Sequence, residues 1–216
     1  MTTLVTGGAS GMGESMCHAM AAEGASVVVV DQNKEGAKRV AADLISNGFN
    51  AIAIKADIAS QIQIRLMAKQ AIDAFGKVDI LVNNAGSRVI KGFLEHTKDD
   101  WNKMLDINLS GPFYCSQEIV PIMIRNGGGS IINVCSIASY MGRPNRCAYV
   151  AAKSGLLGLT RTMAIDLASD KIRVNAISPG MIASPFNQRF SEGEKTGSSW
   201  AKDNLIGRWG NPDDIN

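Results

Sequence analysis

Short apolar runs alternate with longer helical stretches along the chain. The short runs are nearly continuous in Val, Ile, Leu and Ala, which is typical of strands covered on both faces of a parallel sheet. Strands are predicted at residues 3–6, 27–31, 51–56, 80–83, 131–135 and 173–177. Helices are predicted at residues 12–23, 34–47, 61–75, 99–125 and 148–168.

The regular order of strands and helices predicts the fold class. Six β-α units in succession indicate an α/β fold with a doubly wound, Rossmann-like parallel sheet in one domain over residues 1–216. The helix over 99–125 should be perturbed near Ser110–Gly111–Pro112, because proline lacks an amide donor and clashes with the preceding turn. After Pro179 the pattern loosens into Gly, Ser and charged residues, so we expect residues 180–210 to form a substrate loop or lid.

Composition and charge exclude several classes of function. With 216 residues, 45% of them hydrophobic and 19% charged, the chain has the balance of one soluble globular domain. Its net charge of +2 offers no basic surplus for nucleic acid or anionic lipid, and no apolar run is long enough to span a bilayer. We therefore expect a small-molecule partner, with no nucleic acid and no membrane.

The cysteines and the start of the chain indicate a cytoplasmic protein. The four cysteines are widely spaced and form no C-x-x-C pair, so we expect them to be reduced. The first strand begins within the first three residues, which leaves no room for a signal peptide. Neither histidine stands in ligand spacing with a cysteine, and no metal site is predicted.

Three glycines separate the first strand from the first helix. Gly7, Gly11 and Gly13 have no Cβ, so backbone N–H groups and the helix N-terminus can approach a pyrophosphate closely. The spacing is G-x-x-x-G-x-G rather than the commoner G-x-G-x-x-G. A tight connection would use similar glycines, but the position after an apolar strand and before a helix favours phosphate binding.

An acidic residue ends the second predicted strand. The carboxylate of Asp31 can accept hydrogen bonds from both hydroxyls of an adenosine ribose and would repel a 2′-phosphate. The glycine loop has no Arg or Lys, and Gln32 and Asn33 follow Asp31. These features favour NAD over NADP, whereas Lys34 argues the other way, and a turn aspartate is the structural alternative.

A Tyr-x-x-x-Lys pair carries the strongest chemical signal. Tyr149 and Lys153 lie one helical turn apart and share a helix face. A free tyrosine has a pKa near 10, and a nearby ammonium and a positive nicotinamide ring would both favour its phenolate. Ser136, at the end of a strand, could hold a substrate oxygen against Tyr149. The set predicts hydride exchange between a nicotinamide dinucleotide and an alcohol or carbonyl, although singly each residue is also compatible with a structural role.

Further motifs extend this pattern over most of the chain. They are TGGASGMG at 6–13, Asp57 after the third strand, NNAG at 83–86, Asn108 within LDINLSG, the Ser136–Tyr149–Lys153 set, NAISPG at 175–180 and GRWGNPDDI at 207–215. On these motifs the chain resembles the short-chain dehydrogenase/reductase family in its single-domain branch. The motifs are specific for that family and much less so for a substrate.

The resemblance implies roles for four catalytic residues. Tyr149 would be the general acid or base, and Lys153 would hold the nicotinamide ribose and lower the Tyr149 pKa. Ser136 would orient the substrate oxygen. Asn108 would stand at the helix irregularity, where its backbone carbonyl holds a water in a proton relay from Lys153; without the family it could be a helix-interior polar residue.

The resemblance also implies a set of cofactor contacts along the chain. They are Gly7, Ser10, Gly11, Met12, Gly13, Asp31, Asp57, Ile58, Asn84, Ala85, Gly86, Tyr149, Lys153, Pro179, Gly180, Ile182 and Ser184. Of these, Asp57 and Ile58 would contact adenine, and the last four would meet the nicotinamide. The family often has Thr where Ser184 stands, and we expect its hydroxyl to preserve that contact.

The end of the printed chain departs from the family pattern. The family continues with a helix, a seventh strand and a V-D-G-G-like ending, none of which is in the sequence. We therefore expect the last strand of the sheet to be missing and the strand at 173–177 to be an uncovered edge. The hypothesis is a truncated product or an incomplete record of a longer protein.

Three functions fit the residues. The leading hypothesis is an NAD(H)-dependent dehydrogenase acting on a secondary alcohol or its ketone. The alternative is an NADPH-dependent reductase of the 3-oxoacyl-carrier-protein type, against which Asp31 argues. A non-catalytic dinucleotide-binding protein is the alternative of a different class.

Substrate selectivity is expected from residues 87–92, from 138–146 and from the loop after Pro179, because these surround the carboxyl ends of the central strands. Three arginines there either pair with an anionic substrate or are solvated: Arg88, Arg143 and Arg146. Three aromatic residues either form an apolar lid or anchor the loop: Phe186, Phe190 and Trp200.

Small residues on the last predicted helix suggest assembly. Ala151, Ala152, Gly155 and Gly158 would let a second helix approach closely, or would dock the helix on its own sheet. Relatives commonly form tetramers through this helix, so the resemblance implies a homo-oligomer, either a tetramer or a dimer.

Overall fold

The computed structural model describes residues 1–187 and 205–215. Within these residues six parallel strands form one sheet in the order β3-β2-β1-β4-β5-β6. The strands are β1 Thr2–Thr6, β2 Ser26–Asp31, β3 Ala51–Lys55, β4 Ile80–Asn83, β5 Gly129–Val134 and β6 Ile172–Ile177. The predicted doubly wound α/β fold is confirmed, and in the described residues β6 forms one edge of the sheet.

Helices connect the strands. They are α1 Gly11–Ala22, α2 Lys34–Ser46, α3 Gln61–Phe75, α4 Lys98–Leu105, α5 Gly111–Arg125 and α6 Cys147–Asp166. Polar side chains cap several of them: Asn33 accepts from the Gly36 amide at 3.1 Å, and Thr97 accepts from the Asp100 amide at 3.1 Å. Such caps satisfy amide groups that the first turn of a helix leaves without partners.

Two element boundaries differ from the sequence prediction. The helix predicted over 99–125 is two α-helices joined by a π-helical turn at Asp106–Ser110, which begins four residues before the perturbation predicted near Ser110–Gly111–Pro112 and overlaps it at Ser110. An extra residue in a helical turn leaves no mark in the hydrophobic pattern. The fifth strand begins at Gly129, in the predicted loop, because Gly129 pairs in register with Ile172 of β6.

Apolar side chains cover both faces of the sheet. On one face Ile64 and Met67 of α3 and Ile119 of α5 pack in a fully buried cluster with the strands. On the other face Val40 and Leu44 of α2 pack with residues of α1 and β2. The strands are therefore buried on both sides, as their continuous apolar runs predict.

A chain of buried polar side chains joins β4, β5, α5 and α6. Asn83 Nδ2 donates to Asn133 Oδ1 at 2.9 Å, and Asn133 Nδ2 donates to Thr160 Oγ1 at 2.9 Å. The Thr160 hydroxyl donates to the Leu156 carbonyl at 2.7 Å, and Ser116 Oγ lies 3.3 Å from the Asn83 amide nitrogen. Because a buried polar group without a partner is costly, this network fixes the relative positions of the four elements.

We expect Asn133→Ala to lower the free energy of unfolding by about 2–3 kcal/mol, because it removes two buried hydrogen bonds and opens a small cavity. Urea unfolding followed by circular dichroism measures the change. Asn175→Ala on the neighbouring strand is the matched control, since Asn175 is exposed and the change should stay within about 0.5 kcal/mol. Equal effects of the two substitutions would contradict a stabilising role for the network.

Candidate active site

The central strands end at a cleft that brings together residues from distant parts of the sequence. The cleft lies at the carboxyl ends of β1 and β4, where the strand order reverses direction, which is where open α/β sheets bind ligands. Of the predicted site residues, it is lined by Gly7, Ser10, Gly11, Met12, Gly13, Asp31, Asn84, Ala85, Gly86, Asn108, Tyr149, Lys153 and Ser184.

The remaining predicted residues border adjoining cavities. Asp57 and Ile58 line a cavity that shares Gly7 and Asp31 with the cleft. Pro179, Gly180 and Ile182 line a cavity on the other side of Tyr149. Ser136 lines none of these cavities, but its hydroxyl makes a hydrogen bond with Tyr149.

The glycine loop is held in a conformation that only glycine accommodates well. Gly7 and Gly11 have φ angles of +67° and +56°. A Cβ on Gly13 would overlap the carbonyl oxygen of Gly7. From β4, Asn84 Nδ2 donates to the carbonyls of Thr6 at 2.9 Å and Gly7 at 3.1 Å. The loop therefore lies flat against the sheet and leads directly into the N-terminus of α1, an arrangement suited to a pyrophosphate.

Backbone amides fix the carboxylate of Asp31 at the edge of the cleft. Its Oδ2 accepts from the Ala9 N–H at 3.1 Å, and its Oδ1 accepts from the Asn33 N–H at 2.9 Å. Each carboxylate oxygen has a second lone-pair position, so both can still accept a hydroxyl. The side chain is thus positioned to meet a ribose in the cleft.

The predicted catalytic pair, Tyr149 and Lys153, is buried on α6. Tyr149 is 8% exposed and Lys153 is 3% exposed. Lys153 Nζ donates to the Val134 carbonyl at 2.7 Å. Burial lowers the pKa of Lys153 to about 8, since water no longer stabilises the ammonium. The site therefore holds a lysine that can change protonation near physiological pH.

Opposing effects act on the pKa of Tyr149. Burial raises it above the ordinary value of 10.0, because the phenolate loses its hydration. Its hydrogen bond with Ser136 and the charges of Arg88 and Arg146 act in the lowering direction. The sequence interpretation gave this lowering to Lys153 and the nicotinamide. It missed the arginines, which enter from loops after β4 and before α6 and have no motif spacing.

The π-helical turn places Asn108 behind the cleft, fully buried. Its Oδ1 accepts from the Ser87 N–H at 3.2 Å, and its Nδ2 donates to the carbonyls of Ser87 at 2.9 Å and Met104 at 3.0 Å. A Cβ on Gly86 would lie 3.1 Å from Asn108 Oδ1 and 3.7 Å from Lys153 Nζ. The Asn108 side chain thus braces the segment after β4, close to Lys153.

The cavity beyond Tyr149 is rich in positive charge. Among the described residues, Arg88, Arg143 and Arg146 line it together with Phe186. The Arg88 guanidinium stacks 4.4 Å from the centre of the Phe186 ring, and its Nη2 donates to the Phe186 carbonyl at 3.1 Å. The Phe186 ring centre lies 6.4 Å from that of Tyr149. The other predicted lid residues, Phe190 and Trp200, lie outside the described residues.

A segment near residue 210 braces one wall of the substrate cavity. The Gly210 N–H donates to the Met181 carbonyl, and the Ala183 N–H donates to the Gly210 carbonyl, both at 2.8 Å. Arg208 forms two hydrogen bonds with Asp214, at 2.6 and 3.0 Å. The resemblance includes this GRWGNPDDI segment, but local reasoning assigned it no role because its contacts are distant in sequence.

Three further features concern the cysteine thiols, a possible metal site and a possible membrane span. Within the described residues all four cysteines are free thiols, and burial raises the pKa of Cys17 and Cys115 to about 12. No group of three or more His, Cys, Asp or Glu side chains in this part of the chain could hold a metal ion. Over the same residues, no helix combines the length and apolar character required to cross a membrane.

Comparisons with known proteins agree with the fold. The sequence model of the short chain dehydrogenase family matches residues 1–195. A 3-oxoacyl-[acyl-carrier-protein] reductase from Synechocystis sp. is 39% identical over 189 residues, covering 87% of this chain and 76% of that protein. A cyclohexanol dehydrogenase from Acinetobacter sp. is 37% identical over 216 residues, covering 98% and 83% of the two chains.

A solved structure of a dehydrogenase is also similar to this chain. The crystal structure of a gluconate 5-dehydrogenase from Burkholderia cenocepacia, in complex with NADP and tartrate, superposes with a TM-score of 0.94 at 32% identity. The match covers 99% of this chain and 84% of that chain. Because sequence, fold and relatives agree over most of its length, this chain belongs to the short-chain dehydrogenase family and is an oxidoreductase of that family.

Proposed function

We propose that the protein is an NAD(H)-dependent dehydrogenase that interconverts a secondary alcohol and its ketone, with Tyr149 as the general acid and base. The observation that carries this proposal is the position of Tyr149. Its buried side chain lines both the cleft with the glycine loop and the arginine-rich cavity. A group between a cofactor cleft and a substrate cavity can exchange a proton with the atom that gains or loses the hydride.

The cleft fits a nicotinamide dinucleotide. Gly7 and Gly11, with positive φ angles, hold the loop at the N-terminus of α1, where backbone N–H groups could bind a pyrophosphate, and Asp31 is positioned for a ribose. The residues that would hold the cofactor are those predicted from the sequence, with Asp57 and Ile58 toward the adenine and Ser184 toward the nicotinamide. When bound, the dinucleotide supplies or accepts the hydride.

In this mechanism the chain positions the substrate and moves a proton. In the reducing direction the neutral Tyr149 phenol, favoured by burial, gives its proton to the developing alkoxide. In the oxidising direction the charges of Arg88 and Arg146 help the phenolate to form and take the proton back. Ser136 holds the substrate oxygen against Tyr149, and the proton moves between Tyr149 and solvent through Lys153 and a water held by the Asn108 backbone carbonyl.

The proposed preference for NAD over NADP rests on the negative charge of Asp31. Asp31 is fixed by two backbone amides and would meet a 2′-phosphate with its negative charge. The second candidate is the NADPH-dependent 3-oxoacyl-carrier-protein-type reductase. It is favoured by the Synechocystis relative of that name and by the Burkholderia cenocepacia structure, which contains NADP.

The arginine-rich cavity supports a substrate that bears a negative charge. Arg88, Arg143 and Arg146 line the same cavity as Tyr149, and a guanidinium pairs well with a carboxylate. The Burkholderia cenocepacia enzyme acts on gluconate, which is a hydroxy acid. The substrate loop predicted over 180–210 includes residues 188–204, which lie outside the described residues.

We also propose that the protein forms a homo-oligomer, although only some of the small residues of α6 are available for contact with a second copy. Ala152 is buried, and a Cβ on Gly155 would contact Leu109 of the same chain at 3.0 Å, so these positions pack within the domain. Ala151 and Gly158 are exposed, and no atom lies within 4 Å of a Cβ at Gly158. They form the part of the small-residue face that a second copy could approach.

Cofactor titration tests the proposal first. We expect NADH to bind at least about tenfold more tightly than NADPH, a difference of about 1.4 kcal/mol, because only the phosphorylated ribose meets the Asp31 charge. Fluorescence titration of the purified protein with each cofactor measures both dissociation constants. Asp31→Asn should reduce the difference between the dissociation constants of NADH and NADPH. Tighter binding of NADPH by the native chain would favour the second candidate.

Removing the proposed general acid separates an enzyme from a dinucleotide-binding protein. We expect Tyr149→Phe to lower turnover by about 10²–10⁴-fold while NADH binding changes little, since the substitution removes only the hydroxyl. The assay follows absorbance at 340 nm with cyclohexanol and gluconate as trial substrates and NAD as oxidant. Unchanged turnover in the variant would contradict the role of Tyr149. Active native protein would exclude the non-catalytic alternative.

Lys153→Met should stabilise the protein at pH 7 and remove its activity. The native pKa of Lys153 is about 8, against 10.5 for an ordinary lysine, so below pH 8 the folded state bears the cost of a buried charge. Between pH 8 and 10.5 the folded protein has lost this proton and the unfolded chain has not, so the cost falls as pH rises. The stabilising effect of Lys153→Met should therefore shrink over that range.

Urea unfolding of native and variant protein at pH 7 and pH 9.5 measures this effect. Lys55→Met is the control, because Lys55 is exposed at the end of β3 and its substitution should give the same small change at both values. A Lys153→Met variant that is less stable than the native protein at pH 7 would show that the ammonium is a net stabilising group.

A further inference from the structure

An ion pair on the outer side of the glycine loop has no part in the chemistry above. Arg39 of α2 and Glu14 in the first turn of α1 form two hydrogen bonds, from Nη1 to Oε1 and from Nη2 to Oε2, each 2.7 Å long. Arg39 Nη2 also donates to the Ala9 carbonyl at 3.0 Å. Paired, nearly parallel bonds of this kind hold a guanidinium in a defined orientation.

This guanidinium lies close to the adenosine end of the cleft. Only the backbone of Ala9 separates it from Asp31: the Ala9 carbonyl accepts from Arg39, and the Ala9 N–H donates to Asp31 at 3.1 Å. The helix can come so close because Gly36 stands one turn before Arg39. A Cβ on Gly36 would lie 2.9 Å from the Ala9 methyl carbon.

We propose that Glu14 acts with Asp31 as a determinant of cofactor selectivity, by holding the Arg39 guanidinium away from the place of a 2′-phosphate. This inference deepens the proposed function and rests on it. An arginine near the ribose would ordinarily favour NADP, because guanidinium and phosphate form strong paired hydrogen bonds. With Glu14 in place, Arg39 can reach a phosphate only by breaking both bonds to the carboxylate.

The Glu14–Arg39 pair disfavours the binding of NADP without affecting the binding of NAD. A ribose with free hydroxyls carries no charge, so the neutral pair has little effect on it. A 2′-phosphate meets the charge of Asp31 and finds the nearby cation already paired. Arg39 is mobile enough to respond if released, because its side chain is 57% exposed in the ion pair.

The test uses Glu14→Gln, which keeps the shape of the side chain and removes its charge. We expect NADPH affinity to rise about tenfold, from new charge-assisted hydrogen bonds between Arg39 and the phosphate, and NADH affinity to stay within about twofold. Fluorescence titration with NADH and NADPH gives both dissociation constants. In the double variant Glu14→Gln/Arg39→Gln the gain should vanish.

The double variant distinguishes a released arginine from the simple loss of a negative charge. A gain in NADPH affinity that persists without Arg39 would overturn the inference, and so would no gain in Glu14→Gln. Asp73→Asn is the matched control: Asp73 also lies in an exposed ion pair, with Lys69 at 2.6 Å, but on α3 rather than on α1 or α2. It should leave the ratio of the two dissociation constants unchanged.

The outcomes also separate this inference from the proposed function. Native protein that prefers NADH, with a ratio unaffected by Glu14→Gln, would leave the proposed function standing and overturn the inference alone. If the native protein binds NADPH tightly and Arg39→Gln loses that binding, Arg39 already serves as a phosphate ligand. That result would contradict both the inference and the proposed preference for NAD(H). Protein that binds neither cofactor would also contradict both.

Discussion

A chain of buried amide and hydroxyl hydrogen bonds runs from Asn83 through Asn133 to Thr160, and the positions of the proposed catalytic groups depend on it. Asn83 precedes the segment that lines the cleft, Asn133 precedes Ser136, and Thr160 lies on the helix that carries Tyr149. Apolar packing alone would tolerate small shifts of these elements along one another. A buried polar network does not, because each shift would leave donors and acceptors without partners.

The same burial sets the electrostatics of the site. Tyr149 and Lys153 both have pKa values shifted toward their neutral forms by loss of hydration. For Lys153 that shift is a cost in stability at neutral pH, which the hydrogen bond to the Val134 carbonyl at 2.7 Å partly offsets. An ionisable side chain that stays buried although it lowers stability is typical of a functional site. Its charge becomes useful only when substrate and cofactor are bound.

The sequence predicts the sheet well because its signal is local. Four consecutive buried valines, Val27–Val30, leave little choice but a central strand. The π-helical turn at Asp106–Ser110 was predicted only as a perturbation, because adding one residue to a turn hardly changes a hydrophobic pattern. The action of Arg88 on Tyr149 and the Glu14–Arg39 pair could not be predicted either, since each joins residues that are far apart in sequence and have no motif spacing.

The two ends of the cleft make chemistry and selectivity separable. In the proposed function Tyr149 and Lys153 act at the nicotinamide end and have no contact with a ribose phosphate at the other end, so they would not discriminate NAD from NADP. The groups that we propose for that discrimination are Asp31 and the Glu14–Arg39 pair behind Ala9, at the adenosine end of the cleft. Membership of the family therefore establishes the reaction class, while cofactor and substrate depend on charges around it. Relatives named for an oxoacyl thioester, cyclohexanol and gluconate fit that division.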